Sequence, residues 1–247
     1  MTLGWRRFFV LWVSGMLGAT ALVPYELAVI TPPRGVPLGV VVISSLLNSA
    51  ILLAIAAGAG GWLARRARLG TPVIDAVLSG QRVALSRRTV LLAIGLGVVT
   101  SLLVSATDTW LYVAGYPMPE SRVGLTPTPP LWAGTLASFY GGISEEIIAR
   151  YCVLSLFAWL FWPIVRKSVA YAIAIVAAAV VFGAGHLPAA AQVYVMTPTT
   201  VALIVGLNAV PGIAFGWLYC RHGLEAAMGS HFAADLVLHL GIPAIVA

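Results

Sequence analysis

Residues 131–161 read LWAGTLASFYGGISEEIIARYCVLSLFAWLF. A helix needs about 20 predominantly apolar residues to cross a bilayer. This run exceeds that length, yet it carries Glu145, Glu146 and Arg150 at its centre. Six further apolar stretches surround it, at 8–30, 37–63, 89–115, 168–187, 198–220 and 223–245. No strand alternation competes with them, and no internal repeat is visible. The predicted fold is an all-α integral membrane protein, a single polytopic domain over residues 1–247. It is a bundle of seven transmembrane helices, eight if a re-entrant segment is hidden, around a buried polar cavity.

Composition excludes the main alternatives. Only 9% of the 247 residues are charged and 60% are hydrophobic, and the mean hydropathy is +0.98. A soluble domain carries roughly a quarter charged residues, so no water-facing surface can be built from what is left. That removes a soluble enzyme, a disordered regulator and a secreted disulfide scaffold. Cys152 and Cys220 lie far apart in apolar runs without metal-ligand spacing, and read as inert thiols. Arg6 and Arg7 precede an apolar run too long for a signal-peptide core, which reads as the first span.

A net charge of +6 would suit nucleic acid, but the positions of the 13 Arg and one Lys argue otherwise. If every stretch crosses once, Arg6, Arg7, Arg65, Arg66, Arg68, Arg82, Arg87, Arg88, Arg166, Lys167 and Arg221 share one side. Arg34 and Arg122 fall on the other, and Arg150 lies inside a span. The positive-inside rule then places the N-terminus in the cytoplasm and predicts no nucleic-acid partner. Residues 69–88 read as a cytoplasmic loop with a surface helix. Residues 117–130, with Pro117, Pro119, Pro127, Pro129 and Pro130, read as an outer loop.

Ionisable residues inside spans are functional candidates by default. Glu26 and Asp108, beside tyrosines and a tryptophan, read as interfacial, and Glu225 reads as the partner of Arg221 at i,i+4. The fourth span is different. At about 100° per residue, Glu146 and Arg150 share a helix face and pair, whereas Glu145 points away without a local partner. One carboxylate is neutralised, and the other is free to act as general base or acid. The fifth span ends Phe182-Gly183-Ala184-Gly185-His186-Leu187-Pro188, with Pro188 stopping the helix just after His186. In the seventh, His231, Asp235 and His239 at i, i+4 and i+8 make one polar stripe. That stripe serves either hydrogen bonding between helices or a site.

A central Asp, Glu or Arg costs about 2.5–3.5 kcal/mol to insert, so Glu145, Glu146, Arg150 and Asp235 together cost roughly 10–14 kcal/mol unpaired. The whole stability of an ordinary domain is about 5–15 kcal/mol. Pairing must offset most of that cost, and one polar cavity shared by spans four, five and seven does so. A cavity with a free carboxylate and two histidines can activate water, which points to hydrolysis. One difficulty is depth. His186 lies near the outer end of its span and His231 only about 10 residues from Arg221, a mismatch of roughly 10 Å. Tilt, unwinding near Gly206, Asn208, Pro211 and Gly212, or a misplaced boundary would close it.

These residues resemble the CPBP family (CAAX protease and bacteriocin-processing, or Abi, proteins). Its pattern is Glu-Glu-x-x-x-Arg, Phe-x-x-x-His and His-x-x-x-Asn/Asp on separate helices. Here the pattern is Glu145-Glu146-x-x-x-Arg150, Phe182-x-x-x-His186 and His231-x-x-x-Asp235, preceded by Leu218-Tyr219-x-Arg221. The resemblance covers residues 131–240 and is to type II CAAX prenyl endopeptidases in particular. It implies an intramembrane glutamic endopeptidase of a prokaryotic-type cell membrane, acting on membrane-associated peptides such as prenylated CAAX-type C-termini or leader peptides. It implies that Glu145 and His186 activate water, and that His231 and residue 235 stabilise the oxyanion. Arg150 would pair Glu146, Phe182 would pack the site, and His239 would support it. The CAAX endopeptidases have Asn where this chain has Asp235. An ionised Asp235 would repel an oxyanion, so it is protonated, orients His231, or serves another mechanism. No cofactor is expected, although the same residues as zinc ligands in a membrane metalloprotease are the alternative. A non-catalytic scaffold or immunity protein and a transporter are the remaining classes.

Overall fold

A computed structural model describes residues 2–29, 35–122 and 129–246. Arg34 and Pro127 lie outside the described residues. The described chain is helical throughout, with one isolated antiparallel bridge between Ser121 and Tyr194. The elements are α1 (Leu3–Val29), α2 (Leu38–Arg66), the short α3 (Pro72–Leu78), α4 (Arg87–Val113), α5 (Leu131–Phe139) and α6 (Ser155–Phe161). They continue with α7 (Lys167–Gly185), α8 (Leu187–Val193), α9 (Pro198–His222), α10 (Leu224–Leu236) and α11 (Ile242–Val246). Six helices are long and apolar enough to cross a membrane, the fifth and sixth elements aside. The protein is a multi-pass membrane protein.

The predicted fourth span is one continuous helical rod, but it is not a plain α-helix. Between α5 and α6 the backbone widens into two π-helical segments, Tyr140–Glu145 and Ile147–Leu154, with Glu146 between them. Such i→i+5 turns are rare and are often found at functional sites. This rod is therefore the seventh long helix, and it is the one that carries the charges.

The bundle closes around it. The segment Ile147–Leu154 packs on α2, α5 packs on α1, α10 packs on α4 and α9, and α7 packs on α9. Lipid tails are as apolar as the helices, so contact is gained by close approach of small residues rather than by hydrophobic segregation. Gly97 of α4 illustrates this: a Cβ there would meet the carbonyl of Ser230 and lie 3.1 Å from Ala233 Cβ. The outward faces are apolar. Leu17, Ile43, Ile55 and Val99 are each 59–67% exposed, as lipid-facing side chains should be. Asp108, Trp110 and Tyr112 are also exposed, in keeping with an interfacial belt.

Two local expectations are corrected. Pro188 ends α7, whose last residue is Gly185 with His186 as cap, but does not end the fifth span. It sits in the first turn of α8, where its missing N–H costs nothing, and the same span continues to Val193. His186 occupies the junction and lies seven residues, about 10 Å, before the span's end. This moves His186 inward from the end of its span. Unwinding of α9 is not involved, since the helix runs unbroken through Pro211. Second, Glu225 does not pair with Arg221. Its Oε1 accepts the backbone N–H of Ile74 at 2.8 Å, capping the start of α3. In the 69–88 loop, Asp75 accepts a hydrogen bond from Arg7 at 2.6 Å, tying the loop to α1.

Candidate active site

The Glu-Glu-x-x-x-Arg rod supplies the first two walls. Glu146 is fully buried and Arg150 is 1% exposed. Glu146 Oε1 lies 3.1 Å from Arg150 Nη1, the pair expected from their spacing. The same oxygen accepts a hydrogen bond from His231 Nδ1 at 2.8 Å, which local spacing could not reveal. Arg150 is held further by a hydrogen bond from Nη2 to the carbonyl of Gly212 at 3.1 Å. Its guanidinium stacks 4.5 Å over the Phe182 ring and 5.3 Å from that of Phe215.

Glu145 faces the other way and meets two histidines. Its Oε1 is 3.9 Å from His186 Nε2 and its Oε2 is 3.7 Å from His231 Nε2. His231 Nε2 is also 3.6 Å from Asp235 Oδ1. Glu145, His186, His231 and Asp235, from three separate helices, therefore converge at one place. Glu145 and His186 are its open side, with side chains 21% and 33% exposed, against 7% for His231.

Neighbours fix the ring orientations. His186 Nδ1 lies 2.9 Å from the carbonyl of Phe182. A carbonyl can only accept, so Nδ1 carries the proton and a neutral ring turns a bare Nε2 toward Glu145. His231 Nδ1 likewise donates to Glu146. Its ring is stacked on Phe215 at 4.6 Å and edge-on to Phe182 at 5.6 Å. Phe215 and the Gly212 carbonyl, both on α9, are the site residues sequence reading missed. An apolar ring and a backbone oxygen carry no sequence signal.

Gly141 and Gly142 allow the assembly. A Cβ on Gly141 would strike Asp235 Oδ2 and lie 3.0 Å from His231 Nε2. A Cβ on Gly142 would come within 2.7 Å of Phe232 Cβ. Helix α10 thus rests directly on the π-helical backbone. Gly141→Ala is expected to displace Asp235 and His231 and to cut activity by at least about tenfold, since small misplacements of catalytic groups reach 10²-fold. A peptide-cleavage assay on correctly inserted protein checks this. An unaltered rate would show that the close approach is unnecessary.

His239 stands near enough to His231 and Glu145 to interact with them electrostatically. The backbone turns π-helical from Val237 to Gly241. The His239 ring packs edge-on to Tyr25 at 5.3 Å. Among the described residues no three His, Cys, Asp or Glu side chains are placed to hold a metal ion.

Residues 127–237, less than half of the chain, match the family model described as Rce1-like, the type II CAAX prenyl endopeptidases. That segment is similar to the CAAX protease core. It takes in Glu145, Glu146, Arg150, Phe182, His186, His231 and Asp235, and stops short of His239. The CAAX protease family is one of membrane endopeptidases, in agreement with the buried polar cluster in a multi-pass bundle. No curated protein and no solved structure matches the chain significantly.

Proposed function

We propose that the chain is an intramembrane endopeptidase that hydrolyses peptide bonds with a water activated by Glu145 and His186. The observation that carries this reading is the separation of 3.9 Å between Glu145 Oε1 and His186 Nε2. It is too long for a direct hydrogen bond and suits one water molecule touching both groups. Such a water donates one hydrogen to the carboxylate and the other to the bare Nε2. As the water oxygen attacks the scissile carbonyl carbon, Glu145 takes its proton. Collapse of the tetrahedral intermediate breaks the C–N bond, and Glu145 returns the proton to the leaving amine.

His231 is the oxyanion partner in this scheme. In its doubly protonated form it donates Nδ1–H to Glu146 and presents Nε2–H to the developing charge. Asp235, on the same side of the ring, orients that Nε2 rather than contacting the oxyanion. Glu146 and Arg150 are positioning residues that hold His231 and the rod. The substrate is a membrane-associated peptide or protein, either a prenylated CAAX-type C-terminus or a leader peptide. The arginine-rich ends of α1 and α2 face the cytoplasm under the positive-inside rule.

The test is a mass-spectrometric comparison of membrane peptides from cells carrying the native chain or the Glu145→Gln variant. Uncleaved precursors should accumulate only with the variant. Identical peptide sets together with an intact phenotype would instead favour a scaffold. A chelator should leave the purified protein's cleavage rate unchanged, because no step passes through a metal. Reversible loss of activity with stoichiometric zinc would overturn the water-only scheme.

A further inference from the structure

On the arginine-rich side, away from the catalytic group, a crevice of about 450 Å³ opens between the start of α1 and the end of α2. Its walls include Trp5, Arg7, Phe8, Gly58, Gly61 and Arg65, and Tyr151 forms part of its floor. A second hollow of about 320 Å³, lined by Trp62, Arg65 and Arg66, shares Arg65 with it. The volume is that of a small-ligand site.

The charge balance of this place is uneven. Arg7 is neutralised by Asp75 at 2.6 Å. Among the described residues neither Arg65 nor Arg66 has an ion-pair partner. Arg66 instead lies 4.7 Å over the Trp62 ring, which holds its guanidinium in place without reducing its charge. Trp5 and Trp62 are 56% and 42% exposed, as tryptophans at a headgroup level are. Gly58 is open, with only Phe8 within 4 Å of where a Cβ would stand. Below it toward the bilayer centre, Ile51 and Ile55 of α2 and Phe9 and Val13 of α1 offer exposed apolar surface.

We propose that the two adjoining hollows bind one anionic phospholipid, its phosphate held by Arg65 and Arg66 in the hollow they share and its glycerol and acyl chains running through the crevice along the apolar faces of α1 and α2. A lipid fits better than free phosphate because charge and apolar surface are continuous here, and basic pockets at helix ends on this side of a membrane suit anionic headgroups. The site does not depend on the proposed proteolysis. Its floor residue Tyr151 follows Arg150 in the rod, so bound lipid would also brace the helix that carries the catalytic pair.

The experiment is native mass spectrometry of the purified full chain with phosphatidylglycerol or phosphatidylcholine added at equal ratio. Phosphatidylglycerol should be retained in preference, and each of Arg65→Gln and Arg66→Gln should weaken that preference about fivefold. Gly58→Leu, which fills the crevice and leaves every charge in place, should weaken it too. Arg87→Gln/Arg88→Gln, on the same side but outside the crevice, should not. Equal retention of the two lipids, or a preference that survives both arginine variants, would overturn the proposal. So would displacement of the lipid by millimolar inorganic phosphate, which would mark a free-anion site.

Discussion

Glu145→Gln is expected to lower hydrolysis about 10²–10⁴-fold, the usual contribution of a positioned general base, without loss of folded protein. The amide keeps the size of the carboxylate but cannot take a proton from water. Folding should survive because Glu145 makes no close ion pair. Its nearest partners are the imidazole nitrogens at 3.7 and 3.9 Å, and the side chain is partly open. Cleavage of a membrane peptide, measured with the melting temperature on the same preparation, separates the two effects. A variant with full activity would sink the mechanism, whatever its stability.

The second large effect concerns stability. Arg150→Leu should destabilise the protein by about 3–5 kcal/mol, the cost of leaving a buried charge without its partner. Glu146 is fully buried and its Oε2 already has no hydrogen-bond partner, so only His231, already bonded to Oε1, is left beside the charge. The double variant Glu146→Gln/Arg150→Leu removes both charges and should recover much of that stability, since neutral replacements of buried pairs are often tolerated. Activity should not recover. His231 Nδ1, 2.8 Å from the residue 146 oxygen, keeps an amide acceptor but loses the negative charge that stabilises its doubly protonated form. Thermal denaturation in detergent reads the first effect and the cleavage assay the second. Recovery of both together would reduce Glu146 to a structural counter-ion.

Much of this was legible in the chain itself. The long apolar runs and the scarcity of charge dictate helices in a membrane, because unpaired backbone cannot face lipid. The Glu146–Arg150 pair followed from i,i+4 spacing, as did the freedom of Glu145 on the other face. The convergence of spans four, five and seven followed from the cost of leaving four charges unpaired. Where spacing arguments failed, a nonlocal contact was responsible. Arg221 looked like the partner of Glu225 until the N–H of Ile74, 151 residues away in sequence, proved to be in reach.

The sequence by itself determined the fold class, the number of long helices and the identity of the groups that form the cluster. Those properties depend on residue chemistry and local periodicity, which a linear chain carries in full. Only the tertiary structure decided how the groups are used. Burial brings His231 Nδ1 to Glu146 and leaves its Nε2 for Glu145 and Asp235. The wide turns at Tyr140–Glu145 and Ile147–Leu154 and the bare backbone at Gly141 let α10 approach closely enough for that to happen. Ring orientation and π-helical pitch arise from the sum of many packing contacts between helices, and no stretch of residues read alone contains that sum.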